Sequence, residues 1–107
     1  VHPNTTVLYP EVEELERLHH AIYDIKQYSN PVQLQTQQEV ALVARSLIKQ
    51  GAQVVVLACT ELPLALTSRQ LDGVPLIDAT NVLAKALVRE SLNQEQCMRR
   101  SERRFTE

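Results

Sequence analysis

Apolar residues recur along this chain at two different periods. From Glu11 onward, Val12, Leu15, Leu18, Ile22 and Ile25 follow one another at spacings of three and four, with Glu11, Glu13, Glu14, Glu16 and Arg17 mostly between them. That period predicts an amphipathic helix, and its acidic start suits the positive end of the helix dipole. Ser29-Asn30-Pro31 ends it, because the residue before a proline is pushed out of the α region. A second helix runs to about Gln50: Val40, Val43, Ala44, Leu47 and Ile48 form its inner stripe and Gly51 is its stop. Gln33, Gln35, Gln37 and Gln38 read as its solvated face.

Val54-Val55-Val56-Leu57-Ala58 has no helical period. It is too short for a helix and apolar on both faces, which predicts a central strand of a parallel sheet covered by helices. Thr5-Thr6-Val7-Leu8-Tyr9 predicts another short strand, ended by Pro10 at a junction with the first helix. After Cys59-Thr60-Glu61, Leu62-Pro63-Leu64-Ala65-Leu66 suits a helix with proline at an early position. Asp72-Gly73 turns the chain into Val74-Pro75-Leu76-Ile77, a second short buried run. Asp78 or Thr80 then caps a last helix carried by Val82, Leu83, Ala86, Leu87 and Leu92. The order β, α, α, β, α, β, α predicts an α/β fold: three layers, with a mainly parallel sheet flanked by helices. Residues 1–92 form the expected lobe. Residues 93–107 hold only Cys97, Met98 and Phe105 as apolar residues, with four arginines among three glutamates, and read as a polar helical extension or loose tail.

The chain's 107 residues allow one domain, at about 150 residues each. A domain of this size buries roughly two-thirds of the surface its unfolded chain exposes, so no staple is required. Cys59 and Cys97 do not form a disulfide framework, and no Cys or His spacing suggests zinc. His19-His20 are adjacent on a helix and cannot face one ligand together. A reducing cytoplasm is the expected setting. A net charge of -2 and a pI near 5.9 argue against nucleic-acid or membrane-surface partners, which need a dominant positive field. No apolar run approaches membrane-spanning length, and Val1-His2-Pro3-Asn4 has neither a basic nor an apolar leader region. A first residue other than Met is expected of a processed product or of a piece of something longer.

Ligands of open α/β sheets bind beyond the carboxyl ends of strands, where Cys59-Thr60-Glu61 falls. A helix N-terminus there would favour the thiolate form of Cys59. Glu61 would oppose that, or exchange a proton with the sulfur, and Thr60 offers a hydroxyl and an N–H to a carboxylate. The plain alternative is that Cys59 is a small buried hydrophobe.

Gly51-Ala52-Gln53-Val54-Val55-Val56-Leu57-Ala58-Cys59-Thr60-Glu61-Leu62-Pro63-Leu64 resembles the second catalytic segment of the aspartate/glutamate racemase family, with its Gly-Ala start, apolar strand, Gly-Cys-Thr-Glu and Leu-Pro helix. Val74-Pro75-Leu76-Ile77-Asp78 looks like that family's closing segment, and Ile22-Tyr23-Asp24-Ile25-Lys26 looks like its Ile-Tyr-x-x-Val/Ile-Lys helix. The resemblance covers residues from about 5 to 92. It implies a cofactor-independent racemase, without pyridoxal phosphate, in which two cysteines from pseudo-symmetric halves face each other across the substrate α-carbon. Carried over residue by residue, Cys59 is the second of these thiols, Glu61 assists proton exchange at it, Thr60 binds the α-carboxylate, and Lys26 pairs with a substrate carboxylate. Without the resemblance, Lys26 is an ordinary exposed lysine.

Three features depart from the family pattern. Ala58 stands where glycine is usual, and Leu83 stands where some members carry histidine. The first half, with its own cysteine, has no counterpart here. Cys97 cannot replace that cysteine, since no strand precedes it and no threonine follows. The resemblance therefore implies the second, C-terminal lobe of a two-lobe racemase acting on aspartate or glutamate, inactive alone, whose partners are a small amino acid and an N-terminal lobe. A homodimer is expected, because the last helix of the family packs on the other lobe and here leaves one apolar face uncovered. The rival readings are a non-catalytic lobe, or a decarboxylase-like relative that uses one cysteine to protonate an enediolate.

Overall fold

The computed structural model describes residues 4–27 and 31–106, with side chains described up to residue 100. The Val1-His2-Pro3 start, the Ser29-Asn30 part of the helix break, Glu107 and the side chains of Glu102, Arg103, Arg104 and Phe105 lie outside the described residues. The elements are α1 (Val12–Gln27), α2 (Leu34–Lys49), β1 (Val55–Leu57), α3 (Leu62–Ala65), β2 (Gln70–Leu71), β3 (Val74–Asp78) and α4 (Ala79–Thr106). The fold is mixed α/β.

Helix α1 begins with half a capping box: Glu14 Oε1 accepts the Glu11 backbone N–H at 3.1 Å. Helix α2 ends in a Schellman motif. Gly51, at φ 106°, donates to Ile48 O at 3.0 Å, and Ala52 donates to Leu47 O at 3.1 Å. Its left-handed backbone is why glycine stands there. Ala21 and Ile25 of α1 pack with Val40 and Ala44 of α2, Val55 and Leu57 of β1, and Leu62 and Ala65 of α3 to form the core. The predicted α1 stripe is thus shifted: Ala21 is fully buried, whereas Val12 and Leu15 lie exposed at the start of the helix, beyond the core. The glutamines of α2 are mainly solvated as expected, with only Gln37 half-buried and donating to Val32 O at 3.4 Å.

The sheet is small and mixed, in the order β1-β3-β2. Strands β1 and β3 are parallel, with Val55 opposite Leu76, Val56 opposite Ile77 and Leu57 opposite Asp78. Strand β2 pairs antiparallel with β3 and was not expected from the sequence. Asp72 at φ 50° and Gly73 at φ 80° join the two. Positive φ at both central residues is what a type I′ hairpin requires, and Arg45 Nε of α2 holds the turn through Asp72 Oδ2 at 3.1 Å. Pro75 is tolerated in the middle strand because its nitrogen faces the β1 side just before that register begins, at Leu76 opposite Val55, while on the other side the Leu76 N–H bonds Arg69 O at 2.8 Å.

The structure corrects two expectations, a strand at residues 5–9 and a central β1, and makes the residues after 92 a helical extension. Residues 5–9 are not a strand: they form no ladder with any described segment. A strand needs a partner for its backbone groups, and β propensity alone does not supply one. Strand β1 is an edge strand with one covered face; Val55 and Leu57 are buried while Val56 is 57% exposed. Its neighbour Ile77 is exposed as well, so among the described residues no second helical layer covers that face. Residues 93–106 continue α4 as helix. No Gly or Pro interrupts the sequence, and the i, i+4 pair between Glu95 Oε1 and Arg99 Nη2 at 2.9 Å supports it.

Asp78 begins α4 as its N-cap, its Oδ1 accepting the Asn81 N–H at 3.1 Å. Every described side chain from Thr80 to Arg100 is exposed. The radius of gyration is 19.2 Å, against about 13 Å for a compact domain of this length. The excess is α4, a helix about 42 Å long that leaves the body from β3.

Candidate active site

Leu57 and Asp78 are register partners at the carboxyl ends of the two parallel strands. The chain leaves β1 through Ala58 and passes Cys59, Thr60 and Glu61 before entering α3. Glu61 occupies the N-cap position of α3 but makes no side-chain cap bond. Its carboxylate lies beside the Thr60 hydroxyl and the Cys59 thiol, and both favour its ionised form. Lys26 comes from the last turn of α1, where its neighbour Ile25 is locked in the core, and its Nζ lies 4.0 Å from Glu61 Oε1. All four residues singled out in the sequence therefore meet at one edge of the sheet.

Thr60 has the largest part in holding the Glu61 carboxyl below its ordinary value; partial burial opposes it, and the Cys59 thiol and the Lys26 charge add to the lowering. A lowered value means that the ionised form is favoured in the folded chain, so Glu61 stays an acceptor at neutral pH. Its stabilising contacts are lost as pH falls through the folded value. Substituting Thr60→Val is expected to raise the Glu61 titration midpoint more than Lys26→Met does. Carbon-detected NMR titration of the carboxyl checks this, and a larger shift from Lys26→Met would reverse the order of causes.

Cys59 is half-buried and packs against the core, whereas Thr60 is exposed. Cys59 is thus neither a sequestered hydrophobe nor a free surface thiol. Helix α3 has only four residues, so it offers little of the dipole field expected at a helix N-terminus. The arrangement can pass a proton from sulfur to carboxylate, and it presents an ammonium and a hydroxyl at the same edge for an anionic group. Ala58 is exposed beside the triplet, as is Leu83 on α4. Cys97 is exposed and stands about 27 Å along α4 from its first residue, so it cannot face Cys59 within one chain. His19 and His20 are both exposed, so neither reaches the core edge. Among the described residues, no group of three or more His, Cys, Asp or Glu side chains could hold a metal ion, and no helix is long and apolar enough to cross a membrane.

A groove of about 950 Å³ lies along β1, between it and residues 4–10, and reaches Ala58 without being lined by Cys59, Thr60, Glu61 or Lys26. The sequence reading missed it. Its one signal was that Val54 and Val56 are apolar on a face that the described residues leave exposed.

The family model for Asp/Glu/hydantoin racemases matches residues 4–87, a span that includes all four site residues. No curated protein and no solved structure gives a significant match.

Proposed function

Because the chain belongs to the Asp/Glu/hydantoin racemase family, we propose that it is the second lobe of a cofactor-independent racemase acting on aspartate or glutamate, with Cys59 as one of two facing thiols. The observation that carries this reading is that Cys59, Thr60 and Glu61 follow directly from the carboxyl end of β1, with Lys26 Nζ 4.0 Å from the Glu61 carboxylate. In the proposed reaction the Cys59 thiolate takes the α-proton, and the electron pair of the broken C–H bond is delocalised into the substrate carboxylate. A thiol on the opposite face gives its proton to the α-carbon and is left as thiolate. Glu61 relays the proton now on Cys59, Thr60 holds the α-carboxylate, and Lys26 moves from Glu61 to a substrate carboxylate. The reverse direction exchanges the two thiols. Residues 1–92 make up the lobe and residues 93–107 are its tail, helical as far as Thr106. The opposite thiol belongs to a second lobe, and a reducing cytoplasm keeps both sulfurs free.

Substrate protection tests this reading. Aspartate or glutamate is expected to slow iodoacetamide labelling of Cys59 several-fold while leaving Cys97 unchanged, read by peptide mass spectrometry. Equal effects on both cysteines, or none, would sink it. A second expected result is that the purified chain alone gives no racemisation of L- or D-aspartate by chiral chromatography, because one thiol serves one face only. Steady turnover that Cys59→Ser abolishes would mean instead that another copy supplies the second thiol.

A further inference from the structure

Asp78 is an acid at the carboxyl edge of the sheet to which the proposed reaction gives no part. It ends β3 as the register partner of Leu57, the last residue of β1. Side chains alternate between the two faces along each strand. Val74, Leu76 and Asp78 are half-buried while Pro75 and Ile77 are exposed, and Val55 and Leu57 are buried while Val56 is exposed. Asp78 therefore stands on the face that α1, α2 and α3 cover, where Cys59 packs and Lys26 arrives. Paired strands lie about 4.8 Å apart, and Cys59, two residues beyond Leu57, is no more than about 7 Å further along the chain. The Cα atoms of Asp78 and Cys59 are thus no more than about 12 Å apart, a gap that their side chains and one small amino acid fill.

Its carboxylate has acceptor positions to spare. Oδ1 takes the Asn81 N–H, no lysine or arginine among the described residues forms an ion pair with it, and an ionised carboxylate offers about four acceptor sites. A half-buried charge gains from a cation, which the described residues do not supply. Aspartate and glutamate bring one: each has an α-ammonium beside two carboxylates, and Lys26 and Thr60 answer only the carboxylates. Other acids are engaged or turned away. Asp72 is paired with Arg45 at the opposite end of β3, and Asp24, two residues before Lys26, lies on another side of α1. Glu61 takes the Cys59 proton in the proposed reaction, and an ammonium bound to it would block that relay. Resting on that reaction, we infer that Asp78 binds the substrate α-ammonium through the oxygen positions that the α4 cap leaves free. The site then selects α-amino dicarboxylates over dicarboxylates without nitrogen. With ammonium, α-carboxylate and side-chain carboxylate each held, the two enantiomers differ only in the side to which the α-hydrogen points, the side of Cys59 or the side of the opposite thiol.

The test compares ligands that differ only in that nitrogen: aspartate with succinate, and glutamate with glutarate. Each is titrated against iodoacetamide labelling of Cys59, read by peptide mass spectrometry. In the parent chain the better of the two amino acids is expected to half-protect Cys59 at a concentration about tenfold or more below that of its nitrogen-free analogue, as a charge-assisted hydrogen bond warrants. Asp78→Asn keeps a side-chain oxygen for the cap and removes the charge. It is expected to bring the two ligands to within about twofold of each other, while circular dichroism and exchange at the Asn81 amide stay as in the parent. An equal ratio in the two chains overturns the inference. So does a ratio that Glu61→Gln collapses and Asp78→Asn does not, which assigns the ammonium to Glu61. An analogue that protects the parent as well as its amino acid overturns the inference and leaves the Cys59 site standing. If no ligand protects the parent, Cys59 does not face the substrate, and the proposed reaction falls together with this inference.

Discussion

Replacing Ile25 with alanine is expected to destabilise the chain by about 3 kcal/mol, within the roughly 2–5 kcal/mol found for truncating a buried isoleucine. Among the described residues Ile25 is the one large side chain whose exposure falls below 2%, and it lies where α1 meets α2. Only ten apolar residues are buried among those described, and one face of the sheet is open, so few neighbours can collapse into the cavity. Natural domains are stable by about 5–15 kcal/mol, and a lobe with so small a core belongs near the bottom of that range. Urea titration followed by circular dichroism should show the midpoint collapsing or the transition disappearing. Val12→Ala, on the same helix at 72% exposure, should change stability by less than about 0.5 kcal/mol. A loss below 1 kcal/mol for Ile25→Ala would mean that α1 is not held to α2 as described. Since Ile25 also sets the position of Lys26, the same substitution should let the Lys26–Glu61 pair drift apart.

What was legible in the sequence was what is decided locally. The period of α2, the Gly51 stop, the Asp72-Gly73 turn and the Asp78 cap each depend on residues within a few positions of one another, and each is found where it was read. That Lys26 lies near the 59–61 triplet was legible because Cys59, Thr60 and Glu61 are consecutive and Lys26 is placed by the regular period of α1. Non-local choices were not legible. Thr5-Thr6-Val7-Leu8-Tyr9 has strand composition, but a strand exists only where a neighbour offers hydrogen bonds, and none of the described segments does. The run 54–58 carries apolar residues on both faces, which signals that both faces expect cover. The sequence does not say that the cover must come from the same chain, and here Val54 and Val56 are bare. For the tail the sequence left a helical extension or a loose end open; good helix formers without Gly or Pro carry α4 on to Thr106.

The purified chain is expected to self-associate through the first half of α4, and Leu83→Glu with Leu87→Glu is expected to return it to a monomer. Val82, Leu83, Leu87, Val88 and Leu92 are 54–61% exposed, and Leu83 and Leu87, four apart, lie on one side of the helix. Such a run on a projecting helix makes a patch of the size that monomers seldom leave bare. A two-fold pairing uses the same patch on both copies, so each substitution counts twice and two leucines become four lost side chains. Burial of one leucine is worth about 1.5–3 kcal/mol; recovering even half of that per site weakens the dimer by more than about 100-fold. The second half of the helix carries the Arg99–Glu95 pair and little apolar surface, so it stays solvated and does not shield the patch. Sedimentation velocity over a concentration series separates the two chains. Because both leucines are exposed, the double variant should keep the urea midpoint of the monomeric lobe, which distinguishes lost association from lost folding. A parent chain that stays monomeric at high concentration, with α4 amides strongly protected from exchange, would mean that this helix lies back on the bare face of its own sheet, over Val56 and Ile77.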